Sequence, residues 1–238
     1  VPPEEALIRA VRPALEARAV PEDAPAMEAY LKHRTRCLGV KSGPRKAAQR
    51  ALFAQHPLPD PAALLRAVAG IWDRAEYREE RYVALDLLAR PRSLRGLDLA
   101  ALPLIERLVV EGAWWDLVDA CATPLGVILV RGGAEARARL LGWASDPDLW
   151  KRRSAVICQL RRKADIDLPL LYAAIDAALS APGLRSELAP KDQRFFLHKA
   201  VGWALRQHAW TDPDEVLRYL AAHPELPALS RREATKNL

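Results

Sequence analysis

Almost every stretch of this chain carries apolar residues at helical spacing and almost none alternates with period two, which leaves little room for anything but an all-α fold. Leu7, Val11 and Leu15 mark a first helix, and Met27, Tyr30 and Leu31 begin a second that stops before Gly39. Residues 40 to 44 read as a loop, with Ser42 as a cap and Pro44 in the first turn of a helix running to about 55. Further helices are expected near 61–72, 76–90, 97–110, 114–130, 134–144, 147–162, 167–180, 191–209, 213–222 and 228–237, with prolines and glycines falling mostly between them. Pro124 is an exception. It either bends or splits the helix that begins at Trp114, or joins Thr123 in starting a new one.

A loose repeat narrows the architecture. Tyr82-Val83-Ala84-Leu85, Ser154-Ala155-Val156-Ile157 and Lys199-Ala200-Val201-Gly202 each fall in the second helix of a pair, the first two 72 residues apart and the third 45 further on. Two units of about 36 residues followed by a step of 45 suggest HEAT-like helical repeats stacked into a superhelical solenoid, with the inner helices on a concave face. Half of the 238 residues are hydrophobic, ample for one domain spanning 1–238. Cys37, Cys121 and Cys158 are odd in number and lack ligand spacing, so reduced thiols in a cytoplasmic protein are expected, without metal or other cofactor. No apolar run approaches the roughly 20 residues that span a bilayer, and no leader segment is evident at the N-terminus. Neither membrane insertion nor secretion is expected, and the protein is read as a monomer.

The formal net charge is +6, and its distribution says more than its size. Between Arg131 and Lys163 there are nine Lys or Arg against three acids, a local basic patch suited to a polyanion. At the middle of the chain lies Trp114-Trp115-Asp116-Leu117-Val118-Asp119. Helical spacing puts Trp114, Leu117, Val118, Cys121, Leu125 and Ile128 on one apolar face, while Trp115 and Asp119 stack on a second face about 100° away. An indole and a carboxylate side by side off the core face suit a cationic ligand. Trp114, Trp72, Trp143 and Trp210 are expected to pack, and Asp116 to complement a helix N-terminus.

These residues also carry a family resemblance. Trp114 to Asp119, then Leu149-Trp150-Lys151-Arg152-Arg153-Ser154-Ala155, then Phe195-Phe196-Leu197-His198-Lys199-Ala200-Val201-Gly202-Trp203-Ala204-Leu205-Arg206, resemble the DNA alkylation repair family of HEAT-like alkylpurine DNA glycosylases. The likeness extends upstream through Met27 to Lys32, Leu38 to Lys41, Tyr77 to Glu79 and Tyr82 to Asp86. It implies an all-α superhelix with a concave basic DNA-binding face. It also implies metal-free hydrolysis of the N-glycosidic bond of N3- or N7-alkylated purines in duplex DNA, bulky adducts included, without flipping of the base, as the first step of base excision repair.

Alkylation at those positions makes the purine cationic, and its departure builds positive charge on the deoxyribose. A carboxylate near the sugar meets that demand, which makes Asp119 the candidate catalytic group, stabilising charge and positioning water. Trp115 and, through the resemblance, Trp203 are the candidate flanking rings. Arg153 intrudes on the apolar row of Leu149, Val156 and Leu160, where it could grip a phosphate. Arg152, Lys151, His198 and Lys199 are further candidates for DNA contact. The other histidines are read as non-catalytic, and Lys199 as a charge rather than a Schiff-base lysine. Two departures from the family pattern bear on specificity: the polar run Arg34-Thr35-Arg36-Cys37, and the long connection from Ser180 to Lys191. A catalytically silent protein binding distorted or damaged duplex is the alternative from another class, and a protein-binding helical scaffold is a third.

Overall fold

The computed structural model describes all 238 residues, which form helices and turns without a strand. Two isolated bridges, Arg36 with Tyr77 and Asp148 with Arg185, are the only extended pairings. The helices gather into two compact units, Val1–Leu97 and Asp98–Leu238. No helix is long and apolar enough to cross a membrane.

The first unit contains α1 (Pro3–Glu16), α2 (Ala24–Tyr30), α3 (Ser42–Gln55), α4 (Pro61–Arg74), α5 (Arg78–Leu88) and the single turn α6 (Pro91–Leu94). Leu7, Val11 and Leu15 bury one stripe of α1, which packs on α3, α4 and α5. Each such aliphatic side chain contributes roughly 1.5–3 kcal/mol by leaving water. Ser42 is the first helical residue of α3 rather than its cap; Lys41 precedes it and makes no side-chain capping bond. Helix α2 stops short because Lys32 and His33 turn into the left-handed region at φ 56° and 54°. The polar run 34–37 is tied down all the same. Arg78 donates its backbone N–H to the Arg36 carbonyl at 2.9 Å, and the buried Glu79 carboxylate accepts from Leu38 and Val40, each at 3.0 Å.

The second unit opens with a 3-10 turn, Leu99–Ala101, followed by α7 (Leu102–Gly112) and α8 (Trp115–Val118). A 3-10 turn over Asp119–Cys121 then leads into α9 (Ala122–Arg131), α10 (Gly133–Ala144) and α11 (Leu149–Ile157). After a third such turn, Lys163–Asp165, come α12 (Leu168–Ser180), α13 (Pro190–Ala209), α14 (Pro213–Ala222) and α15 (Ala228–Ala234). Helix α11 touches α7, α8, α10, α12 and α13, so it forms the centre of this unit, and α13 packs in turn on α14 and α15. Aspartates start three of these helices: Asp148 accepts from Trp150 and Lys151, Asp167 from Leu170, and Asp212 from Glu215.

The single helix expected from 114 to 130 is divided. Pro124 is the third residue of α9, so the Ala120 carbonyl has no N–H to accept from at that position, and the preceding residues tighten into the 3-10 turn that begins at Asp119. The apolar face survives the division, with Leu117, Val118, Cys121, Leu125 and Ile128 all buried. Trp114, Trp72 and Trp143 are buried as expected, but Trp210 is 70% exposed. It follows the last residue of α13, where the chain leaves the core before Asp212 caps α14.

Candidate functional site

Helix α7 ends on Ala113, which adopts a left-handed conformation at φ 40° and donates its N–H to the Val109 carbonyl at 3.2 Å. A residue with a Cβ there costs of order 1 kcal/mol, and the reversal it produces leads directly into Trp114. Trp114 turns inward. Its ring meets Trp150 of α11 at 6.2 Å and Phe196 of α13 at 5.3 Å, while Trp150 and Phe196 lie 5.3 Å apart. Edge-on contacts of this kind add roughly 0.5–1.5 kcal/mol each beyond burial, so α8, α11 and α13 are joined by one aromatic knot. Trp115 is half-buried.

Beside the knot lies a buried ion pair. Arg153 donates Nε to Oδ1 and Nη2 to Oδ2 of Asp119, both at 2.7 Å, and Nη1 to the Phe196 carbonyl, also at 2.7 Å. One guanidinium therefore fixes a carboxylate from the α8–α9 junction to a carbonyl on α13. Its side chain is 6% exposed and that of Asp119 16%. Burial pushes the Asp119 carboxyl above the usual carboxylate range, Arg153 pulls it back down, and Asp116 adds a smaller upward push. A carboxylate accepts about four hydrogen bonds. Arg153 occupies two, which leaves the outer lone pairs of Asp119 for water or a ligand.

Trp203 belongs to α13, seven residues beyond Phe196, which at 100° per residue brings it within about 20° of the same face and roughly 10 Å along the axis. It is half-buried. Asp119, Arg153, Trp115 and the Phe196–Trp203 edge of α13 thus all belong to the second unit. The Phe196 carbonyl and Trp150 were not singled out as site residues from sequence. A backbone acceptor has no sequence signal, and a buried Trp reads as packing.

The basic patch is much weaker in three dimensions than in one. Of its nine cations, Arg137 pairs with Asp167, Arg139 with Glu135, Lys151 with Glu106 and Asp146, and Arg153 with Asp119, while Arg152 binds only carbonyls. Arg152 requires a correction as a DNA-contact candidate. It is 1% exposed, and its guanidinium donates to the carbonyls of Asp146, Ala178, Ala181 and Pro182. It clamps the start of the long connection between α12 and α13, which is further held by the Leu149 N–H on the Arg185 carbonyl at 3.2 Å. Replacing Arg152→Met strands four carbonyl groups, and the expected loss is about 2–4 kcal/mol. A thermal melt that did not move would show the clamp to be idle.

Lys199 likewise faces a protein partner, Glu233 of α15, at 3.0 Å, and shares it with Arg206 at 2.9 Å and Lys236 at 2.6 Å. Burial alone would raise the Glu233 pKa, but hydrogen bonds from Lys236 and Lys199 outweigh it and hold the group at about 2. A lowered carboxylate pKa stabilises the fold above the unfolded value of roughly 4.3 and loses that contribution as the pH falls through the folded value. Glu233→Gln should therefore cost about 1–2 kcal/mol at pH 7, after screening of its partly exposed partners. The difference from wild type should shrink in denaturation curves taken between about pH 4 and pH 2. His198 is half-buried, and burial together with Arg194 lowers its pKa, so it presents a neutral imidazole rather than a cation.

Three arginines of the patch line a groove of about 300 Å³ along α9 and past the end of α11, formed by Thr123, Gly126, Val130, Arg131, Arg161 and Arg162. Asp119, Thr123, Gly126 and Val130 follow one helical row, so the groove floor continues the line of the carboxylate. Gly126 is required by closeness, because a Cβ there would stand 2.6 Å from the Cys158 carbonyl oxygen. Cys121 and Cys158 are buried, with thiol pKa values pushed up to about 12, and are unsuited to nucleophilic work. No three His, Cys, Asp or Glu side chains converge as a metal site.

The sequence model of the DNA alkylation repair enzyme family matches residues 11–238, spanning both units. A solved structure described as a predicted DNA alkylation repair enzyme from Enterococcus faecalis superposes with a TM-score of 0.76 at 28% identity, covering 93% of this chain and 97% of that one. No protein of curated function matches the chain.

Proposed function

The chain belongs to the DNA alkylation repair enzyme family, and from that premise we propose that it is a monofunctional DNA glycosylase acting on cationic N3- and N7-alkylated purines in duplex DNA. The observation that carries this reading is the Asp119–Arg153 pair, a part-exposed carboxylate held at both oxygens by one guanidinium. In the proposed reaction the C1′–N bond of the lesion breaks, its electron pair leaves with the purine and neutralises the ring charge, and positive charge accumulates on the sugar. Asp119 opposes that charge electrostatically. Its outer lone pairs hold the water that adds to C1′, and the proton released passes to the carboxylate or to solvent.

Trp115 and Trp203 offer ring faces to the cationic nucleotide, worth roughly 0.5–2 kcal/mol each. Arg153 has donors beyond the three it uses, so it can approach a phosphate while holding Asp119. The groove lined by Arg131, Arg161 and Arg162 takes the flanking backbone in this reading. In this reading the helical pairs are HEAT-like repeats that offer a basic face to the duplex, the base is not drawn into a pocket, and excision repair continues at the abasic product.

The deciding experiment incubates the protein with duplex DNA carrying N7-methylguanine or N3-methyladenine and measures free base. Release above the spontaneous rate is expected, and its absence on both lesions sinks the glycosylase reading. One observation favours binding without cutting: the charge of Asp119 is already matched by Arg153, so the pair offers a cation less than a lone carboxylate does. Salt-sensitive binding to alkylated duplex with no base release would decide for that second reading.

A further inference from the structure

In the first unit, residues 56–61 between α3 and α4 and residues 90–96 around α6 enclose a cavity of about 260 Å³. Its walls are tied rather than loose. Ser93 donates Oγ to the Leu87 carbonyl at 2.7 Å, and a Cβ on Gly96 would stand 2.9 Å from Pro61 Cγ, so the two segments press together. One wall is apolar and ring-bearing, made by Phe53, Leu58, Leu64 and the prolines 57, 59 and 61. The other carries Arg90, Arg92, Arg95 and His56.

The charge of this cavity is one-sided. Arg12, Arg66 and Arg74 each pair with a glutamate, whereas no carboxylate pairs with Arg90 or Arg92. The one acid on the wall is Asp60, and its Oδ1 caps α4 by accepting the Ala63 N–H at 2.7 Å. Arg90 is held in place by the Phe53 ring, its guanidinium carbon 4.7 Å from the centroid. Burial, then the charge of Arg92, lowers the Arg90 pKa below its ordinary value. Two neighbouring guanidiniums left without a counter-ion in a walled cavity repel each other, and an anion bound between them reverses the sign of that interaction.

We propose that this cavity is a binding site for a phosphate monoester carried on a compact ring-bearing body, of the nucleoside monophosphate class. Guanidinium forks match phosphate oxygens in pairs. The Phe53, leucine and proline wall provides an apolar surface for a flat ring, and the volume lies at the small end of ligand sites. Such a group comes either as a free nucleotide or as the 5′-phosphorylated end of a strand. The proposal makes no use of Asp119 and stands or falls independently of the glycosylase reading.

The test titrates the full chain calorimetrically with deoxyadenosine monophosphate, with deoxyadenosine, and with a short single strand bearing either a 5′-phosphate or a 5′-hydroxyl. Saturable binding of the monophosphate is expected, at least about tenfold tighter than of the nucleoside. Arg92→Gln and Arg90→Gln should each weaken it at least about tenfold, while Arg66→Gln, which removes a paired surface arginine, leaves it unchanged. Without ligand, Arg92→Gln should melt at or above the wild-type temperature, because it relieves repulsion. A 5′-phosphorylated strand bound as tightly as the mononucleotide assigns the site to strand ends, and a strand bound only weakly assigns it to free nucleotides. Absence of saturable binding by both phosphates, affinity indifferent to Arg90 and Arg92, or an Arg92→Gln chain that melts lower would overturn the proposal.

Discussion

Asp119→Asn should abolish most base release while leaving a folded protein. The substitution keeps one oxygen to accept from Arg153 but removes the negative charge that opposes the developing sugar cation. Losing a preorganised electrostatic or acid–base group of this kind costs roughly 10²–10³ in rate. Stability moves in two directions at once. Neutralising Asp119 removes the penalty of a buried charge, the same penalty that raises its pKa, while the Arg153 guanidinium loses its counter-ion. The expected balance is a loss of about 1–2 kcal/mol, a few degrees in Tm for a chain of this size, so single-turnover release at 25 °C reports chemistry and not unfolding. Binding of alkylated duplex should change less than the rate. A variant that releases base within about threefold of wild type, a factor far below the loss expected of such a group, would remove Asp119 from the mechanism.

That Asp119 lies off the buried face was legible from helical spacing. Leu117, Val118 and Cys121 define the buried face whether or not the helix is continuous, so Trp115 and Asp119 had to fall outside it, and the break at Pro124 changes the turn type without rotating the face. The basic patch misled for the opposite reason. Counting charge along the chain ignores acids brought from elsewhere, and Glu106, Asp167 and Asp119 come from outside the run or from across the unit to meet Lys151, Arg137 and Arg153. Arg152 and Arg153 are neighbours of the same type with different roles. One faces the carbonyls at the end of α12 and the other faces Asp119, and only the packing of α11 against α12 and α13 separates them. The cavity beside Arg90 had no sequence signature, because its walls come from two segments some thirty residues apart and its purpose depends on which acids are absent.

Arg153→Gln is expected to produce two opposite pH dependences, and the pair of them identifies what Arg153 does. Removing the guanidinium leaves the Asp119 carboxylate buried without its counter-charge, so a pKa already raised by burial rises further. The proposed reaction uses the ionised form. The acid limb of kcat/KM should therefore move to higher pH, with activity roughly 10–100-fold down near pH 6.5 and partly recovered as the pH is raised. Stability runs the other way. A carboxyl whose folded pKa is raised stabilises the fold below its unfolded pKa and loses that contribution as the pH rises through the folded one. Breaking one side of a buried pair costs about 3–5 kcal/mol when the remaining charge is uncompensated, and that cost should be full at high pH and shrink on acidification. Arg153→Lys should restore part of the acid limb, since a cation returns, but not the full rate, since an ammonium cannot grip both Asp119 oxygens and the Phe196 carbonyl in one plane. If Arg153 served only to pack α11 against α13, both variants would lower activity by the same factor at every pH and the limb would not move.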